Sequence, residues 1–450
     1  MADLQSIRLA SETRATGAWK IRAQKVLRSV GLRHGLIMGA SMITAGIFDY
    51  AVNVLAGRWL EPADYGVFIA VTAILQILLL FSIAIRIVVA FYVSELSAQS
   101  HSADRVGVLV QRAWRWAWQW GLTSMALMVV ASPFLAGQLR LPSSWPLWAA
   151  SLMVPMLFLR ESAYGALQGT QAFTGLGIVQ IVQAVLRLLF AAGLILLGWR
   201  AAGAIIAQPL GCILALGLTV WWLRPYFRSH SSGPDRGISW RYSVCTLLGL
   251  ATFGVMTNLD ALFVKHFFSP TIAGNYGTVV TLSKVSLFLP WAIGIVLLPK
   301  VTHRRANGHD PRPLLLLSLL AALAPGLCIT AIYFLASGPL VNLVFTGAYS
   351  DPGIVLGSVS LASTLFAGIF IWLNYAFSLK RQAFVYVLIG VVGAQALGMF
   401  LFGRVNLVSM AVVLVIAGLI GNLAGFVTTW STERASEAFR TEAAKQEMPT

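Results

Sequence analysis

The sequence predicts an all-α integral membrane protein, with about twelve transmembrane helices in two pseudo-symmetric six-helix lobes. Three observations predict this class. Hydrophobic residues fill 58% of the 450 positions and charged residues only 11%, and the mean hydropathy of +0.78 lies outside the range of soluble domains of this length. Apolar runs long enough to cross a hydrocarbon core of roughly 30 Å recur almost end to end, and helices satisfy their backbone there without open sheet edges. The chain also repeats itself at an offset that carries Asp49 onto Asp260.

The apolar runs place spans at 34–58, 64–94, 112–135, 147–168, 173–197, 201–223, 243–267, 275–298, 313–337, 353–378, 382–403 and 407–429. They divide the chain into a basic N-terminal arm (1–33), an N-lobe (34–223), a polar linker "RPYFRSHSSGPDRGISWR" (224–241), a C-lobe (242–429) and a tail (430–450). Of the 32 basic residues, 23 fall on the arm, the tail and the loops of one side. Counting span ends with the side that they border, five fall on the other side (Arg58, Arg140, Arg200, Lys265 and Arg404) and four well within spans. The positive-inside rule therefore puts both termini in the cytoplasm. The inner loop "LQGTQAF" (167–173) has no basic residue and is placed by span parity alone. Membrane topology accounts for the net charge of +16, so no nucleic-acid partner is expected.

The arm does not read as a cleavable signal. Lys20, Arg22, Lys25, Arg28 and Arg33 interleave with Ile21, Val26, Leu27 and Val30, which suits either a helix lying on the anionic inner leaflet or a disordered basic tail.

At the repeat offset, Tyr65 and Gly66 fall on Tyr276 and Gly277, Tyr164 falls on Tyr375, and "QAF" at 171–173 falls on "QAF" at 382–384. An even number of spans per unit keeps both units facing the same way, with a pseudo-twofold axis along the membrane normal. In such transporters the substrate site lies between the halves. The loops are short, which disfavours a membrane glycosyltransferase or ligase. There is no P-loop, dinucleotide fingerprint or zinc-ligand spacing, so neither enzymatic activity, cofactor nor metal is expected. Cys212, Cys245 and Cys328 read as small apolar fillers, and His34, His101, His230, His266, His303 and His309 as solvated or interfacial residues at span ends and in loops.

Seven ionisable residues lie well inside the apolar segments: Asp49, Arg86, Arg160, Glu161, Arg187, Asp260 and Lys284. Each costs about 2.5–3.5 kcal/mol at a helix centre, or roughly 20 kcal/mol together if all met lipid. They must pair or face water. Arg160, Tyr164 and Gln168 recur every four residues, and Gln180, Gln183 and Arg187 follow helical spacing, so two helices each present a polar stripe. Asp49 and Asn53 are one turn apart, and Thr281 and Lys284 share a face with Gly277. Such stripes line an aqueous cavity more often than a dry interface. The alternative is a structural lock, with Arg160 paired to an acid on a neighbouring helix and Asp49 neutralising Arg86 or Arg187.

Only the acids Asp49 and Asp260 recur in both halves. Arg86, Arg160, Glu161 and Arg187 fall on Leu297, Ile371, Trp372 and Gly398. Three guanidiniums confined to one lobe point to an anion-binding surface, because the planar fork grips phosphate bidentately and keeps its charge when desolvated.

The segments "GRWLEPADYGVFIAV" (57–71), "ALQGTQAFTGLGIVQIVQAVLRL" (166–188) and "LPKV" (298–301) carry a resemblance. The chain resembles the polysaccharide (O-antigen and exopolysaccharide) flippases of the multidrug/oligosaccharidyl-lipid/polysaccharide exporter superfamily. The likeness spans nearly the whole chain through loose motifs. It implies a MATE-like, V-shaped bundle around a cationic lumen in the bacterial inner membrane. It further implies translocation of an undecaprenyl-pyrophosphate-linked oligosaccharide from the inner to the outer leaflet, beside a polysaccharide polymerase and glycosyltransferases. Arg86, Arg160, Arg187 and Lys284 are the candidates to hold the diphosphate. Asp49, Glu161 and Asp260 are the candidates for ion coupling, because a carboxylate near an arginine changes charge when its partner moves.

Trp372, Asn374, Tyr375 and the glutamines are candidates for sugar contact, with interfacial anchoring the alternative for the aromatics. Pro155, Pro209, Pro290 and Pro325 lie within spans and are candidate kinks. The rival readings are a cation-coupled multidrug exporter of the same superfamily, to which Asp49 also points, and a lipid II flippase, whose family carries more spans. A purely structural scaffold would leave the arginine asymmetry without a cause.

Overall fold

The computed structural model describes residues 30–97, 103–227, 240–287, 310–345, 347–379 and 382–430, with positions 293, 297, 301 and 304. The basic arm up to residue 29, most of the linker, the tail from 431, the second half of the eighth span with Pro290, and most of "LPKV" lie outside the described residues.

The first half consists of α1 (Val30–Trp59), α2 (Pro62–Ser97), α3 (Ala103–Gln138), α4 (Trp145–Ser151), α5 (Met153–Gly169), α6 (Phe173–Leu194) and α7 (Arg200–Phe227). The second consists of α8 (Trp240–Met256), α9 (Leu259–Phe267), α10 (Pro270–Ser283), α11 (Arg312–Leu335), α12 (Ser337–Val344), α13 (Ile354–Ser378), α14 (Ala383–Gly398) and α15 (Leu407–Gly425). Among the described residues there is no strand. Among the described residues, eight helices are long and apolar enough to cross a membrane, or nine if α8 and α9 form one span bent by 40°.

Each of the twelve predicted spans has a helical counterpart. The stretch 173–227 contains two of them, joined at Gly198 and Arg200, where φ is +87° and +48°. The fourth is interrupted between α4 and α5, three residues ahead of Pro155, and the eighth is described only to Leu287. Pro209 and Pro325 sit inside continuous helices, and α7 runs on to Phe227, which shortens the predicted linker at its start. Large apolar side chains such as Val130, Leu196 and Leu335 remain exposed on the outside of the bundle, as expected where lipid replaces water.

The packing repeats with the sequence. In the first half α1 lies on α6, α5 meets α2, α3 and α7, and α6 meets α7. Six spans later α8 lies on α14, α13 meets α10, α11 and α15, and α14 meets α15. The repeat-equivalent helices α2 and α10 cross each other. A Cβ on Gly66 would stand 3.0 Å from the backbone nitrogen of Gly274, and one on Gly277 would stand 2.9 Å from the Tyr65 ring. Small residues set this approach, as is common where helices pack without a hydrophobic driving force.

One group of expectations is corrected. Trp372, Asn374 and Tyr375 offer no surface to a sugar. They are buried in α13, where Trp372 packs against Gly425 and Phe426, and Asn374 donates to the Phe370 carbonyl at 2.8 Å. The cause is that α13 is covered by α10, α11 and α15, so its aromatic positions fill a core. Of the cysteines, Cys212 and Cys245 are buried and Cys328 is exposed.

Candidate functional site

The charged groups of the first half come together on the facing sides of α1, α2, α5 and α6. Close helix contacts set their positions. A Cβ on Gly165 of α5 would stand 2.7 Å from the Arg86 carbonyl oxygen, and one on Gly211 of α7 would stand 2.9 Å from the Arg187 nitrogen. The α5 and α7 backbones therefore lie directly against the residues that carry these arginines.

Glu161, only 3% exposed, is the junction. Arg160 donates to its Oε1 from Nε at 3.0 Å and approaches the same oxygen with Nη2 at 2.8 Å. Arg86 comes no closer than 3.9 Å, Nη1 to Oε2, and spends its Nε on Gln168 Oε1 at 3.0 Å. Both guanidiniums lie near the Tyr164 ring, at 5.6 and 5.7 Å from its centroid, within range of cation–π attraction. Tyr164 in turn donates to Gln183 Oε1 at 2.8 Å, so the two polar stripes read from the sequence face each other.

Arg187 pairs with Asp49 on α1 at 2.8 Å, and Asn53 donates to the Asp49 carbonyl at 2.9 Å. The Asp49 side chain is 49% exposed, whereas those of the three arginines are 10–14% exposed. Arg187 Nε and Gln180 Oε1 are buried without a hydrogen-bond partner. Three guanidiniums against two carboxylates leave one positive charge. The fork of Arg86 is the least committed part of the group: among the described residues its side chain makes a hydrogen bond through Nε, while Nη1 stands 3.9 Å from Glu161 Oε2.

Lys284 makes its contacts in the second half. It donates to Asn258 Oδ1 at 2.6 Å, at the break between α8 and α9. Asp260, at the start of α9, accepts from Tyr276 at 2.8 Å and lies within electrostatic reach of Lys284 without a direct salt bridge. Neither Asn258 nor Tyr276 stood out as a partner in the sequence. The polar run "TNLD" (257–260) inside an apolar span was the available signal.

The halves also meet at the end where α1 stops and α2 begins, the side that the charge distribution assigns to the exterior. Arg58 donates to the Leu343 and Val344 carbonyls at 2.8 and 2.7 Å, and Tyr349 donates to the Gly57 carbonyl at 2.8 Å. Tyr65 stands among Phe345 and Tyr349 with its hydroxyl 2.6 Å from that of Thr281. Arg200 holds Glu61 and Asp64 at 2.7 and 2.8 Å, and His266 bonds the Gln138 carbonyl.

No family model and no curated protein matches the chain. Solved structures do. A multidrug resistance MATE family transporter of the MOP superfamily is similar in its outward-facing conformation, with a TM-score of 0.67 and 12% identity over 90% of this chain and 96% of that one. An inward-facing conformation matches at 0.66 and 11%, over 92% and 100%. The lipid II flippase MurJ in an inward closed conformation matches at 0.66 and 15%, over 88% and 87%. The chain has the all-helical fold shared by MATE transporters and the lipid II flippase.

Proposed function

We propose that the protein is a transporter that moves an undecaprenyl-pyrophosphate-linked oligosaccharide between leaflets of the bacterial inner membrane by alternating access, in polysaccharide (O-antigen or exopolysaccharide) synthesis. On this reading both termini are cytoplasmic and the lobes comprise 34–223 and 242–429. A polysaccharide polymerase and glycosyltransferases are its partners in the pathway, and the protein itself performs no chemical step. The lipid tail stays in the bilayer, while the diphosphate and sugars, prohibitively costly in hydrocarbon, cross through the hydrated space between lobes.

One observation carries the reading. Arg86 and Arg160 share a single carboxylate, and among the described residues the Nη groups of Arg86 make no hydrogen bond, which leaves directed donors and a surplus positive charge for an anion. A multidrug exporter of cationic compounds has no evident use for that surplus. A lipid II flippase would use it equally, and the likeness to one favours it as the second reading. Cells lacking their own flippase of either kind separate the two. Restored surface polysaccharide supports the first reading, and restored growth of cells that lack their own peptidoglycan precursor flippase supports the second.

Two further outcomes are expected. Asp49 is half exposed and paired to Arg187, so ion or proton binding there competes directly with the guanidinium. Asp49→Asn should weaken the dependence of transport in proteoliposomes on an imposed proton or sodium gradient. An unchanged dependence rejects coupling at this residue. A cysteine introduced near position 235 should react with impermeant thiol reagents only from the cytoplasmic side, and labelling from outside would invert the topology.

A further inference from the structure

The two duplicated carboxylates are each provided with a cation, but from unrelated positions. Asp49 receives Arg187 from α6, where the other half has Gly398. Asp260 lies two residues past Asn258, the acceptor of the Lys284 ammonium, and Lys284, the residue just past α10, stands where the first half has Ala73. The acids follow the duplication and the cations do not. Each carboxylate therefore needs a positive partner, and in each half that partner is covalently attached.

The surroundings of Lys284 have the form of a cation site. The span is broken at Thr257 and Asn258, where α8 ends and α9 begins. In secondary transporters, broken spans near the bilayer midplane present free backbone carbonyls and polar side chains to Na⁺ or H⁺. Here the oxygens are Asn258 Oδ1, already 2.6 Å from the ammonium, and the Asp260 carboxylate, which among the described side chains accepts from the Tyr276 hydroxyl. On α14, Gln395 donates to the Met256 carbonyl at 3.0 Å, and its Oε1 is buried with no partner. Asn258, Asp260, Tyr276 and Gln395 are all buried, while Lys284 is partly exposed. Among the described residues the ammonium makes one hydrogen bond out of three available.

We propose that this break is a monovalent-cation site whose resident cation is the Lys284 ammonium, so that the second half cycles without taking a metal ion from solution. The ammonium supplies the single positive charge that Asp260 requires. Being tethered, it gives the site no dependence on external Na⁺, K⁺ or Li⁺. Deleting the side chain frees the space and the oxygens for a small hard cation while leaving the carboxylate unneutralised.

The test is thermal unfolding of the purified, substrate-free protein in NaCl, KCl or LiCl against choline chloride at equal ionic strength, which is independent of what the protein transports. Any specific cation effect on wild type should be unchanged in Asp260→Asn. Lys284→Ala should be less stable in choline and should regain about 2 °C or more in one of the metal salts. Lys284→Ala combined with Asp260→Asn should lose that response. A folded Lys284→Ala variant without any cation response overturns the proposal. So does a specific metal-ion stabilisation of wild type that disappears in Asp260→Asn, and this comparison decides the matter even if Lys284→Ala fails to fold.

Discussion

Arg160→Ala is expected to abolish lipid-linked oligosaccharide transport while the protein remains in the membrane, and Arg86→Ala and Arg187→Ala are expected to do the same. Arg160 makes the short contacts to Glu161, and Arg86 stands 3.9 Å from the same carboxylate. Removing either guanidinium leaves the cluster of Arg86, Arg160, Arg187, Glu161 and Asp49 without its surplus positive charge and takes away donors that a diphosphate would use. Charge-assisted hydrogen bonds contribute about 1.5–3 kcal/mol each, so a loss of roughly 10- to 150-fold in affinity per arginine follows from that range. Arg160→Lys keeps the charge without the fork and should recover only part of the activity.

Glu161→Gln separates binding from bracing. As a brace, Glu161 is needed as much as the arginines, and its loss should stop transport equally. In an anion site its removal raises the positive charge, so substrate binding should persist even as stability falls, since breaking a buried pair costs about 3–5 kcal/mol. Membrane abundance, thermal stability and binding, measured on one set of variants, distinguish these outcomes.

Gly274→Ala carries the second large effect. A Cβ at this position would run into the backbone carbonyl of Pro62, where α10 crosses the start of α2. Backbone cannot rotate away as a side chain can, so the helices must separate. Overpacking of this kind costs about 1–3 kcal/mol. The contact belongs to one end of the interface between the lobes, so the cost falls on the arrangement in which that end is closed, and the balance shifts toward the open one by roughly 5- to 150-fold. A reporter cysteine at Thr281, in a background lacking the native cysteines, should become more reactive to external impermeant thiol reagents in the variant, and transport should fall. Gly39→Ala, whose Cβ meets nothing within 4 Å, is the control and should change neither. Unaltered reactivity in Gly274→Ala would remove this contact from the gate.

The spans were legible because hydrocarbon demands long apolar helices, and the repeat was legible because Asp49, Tyr65 and Gly66 recur without an intervening gap. The facing stripes of α5 and α6 could be read from helical spacing alone. The partners of the charges could not. Arg160 bonds Glu161, its immediate neighbour in sequence, although residues one apart on a helix do not normally face each other. The arginine is long enough to fold back, and among the described residues Glu161 is the carboxylate that it pairs with.

The break at Thr257 and Asn258 has neither proline nor glycine to mark it, and it is held by tertiary contacts from Gln395 and Lys284. The aromatic positions of α13 look like interfacial anchors in sequence. They become core only because three helices converge on them, which no local pattern records.

Binding of undecaprenyl pyrophosphate to the purified protein, compared with the monophosphate, tests the central claim most directly. The account predicts tighter binding of the diphosphate, and a preference that is lost when Arg86, Arg160 and Arg187 are replaced together in a protein that still folds. Equal affinity of the triple variant and wild type for the diphosphate would contradict it.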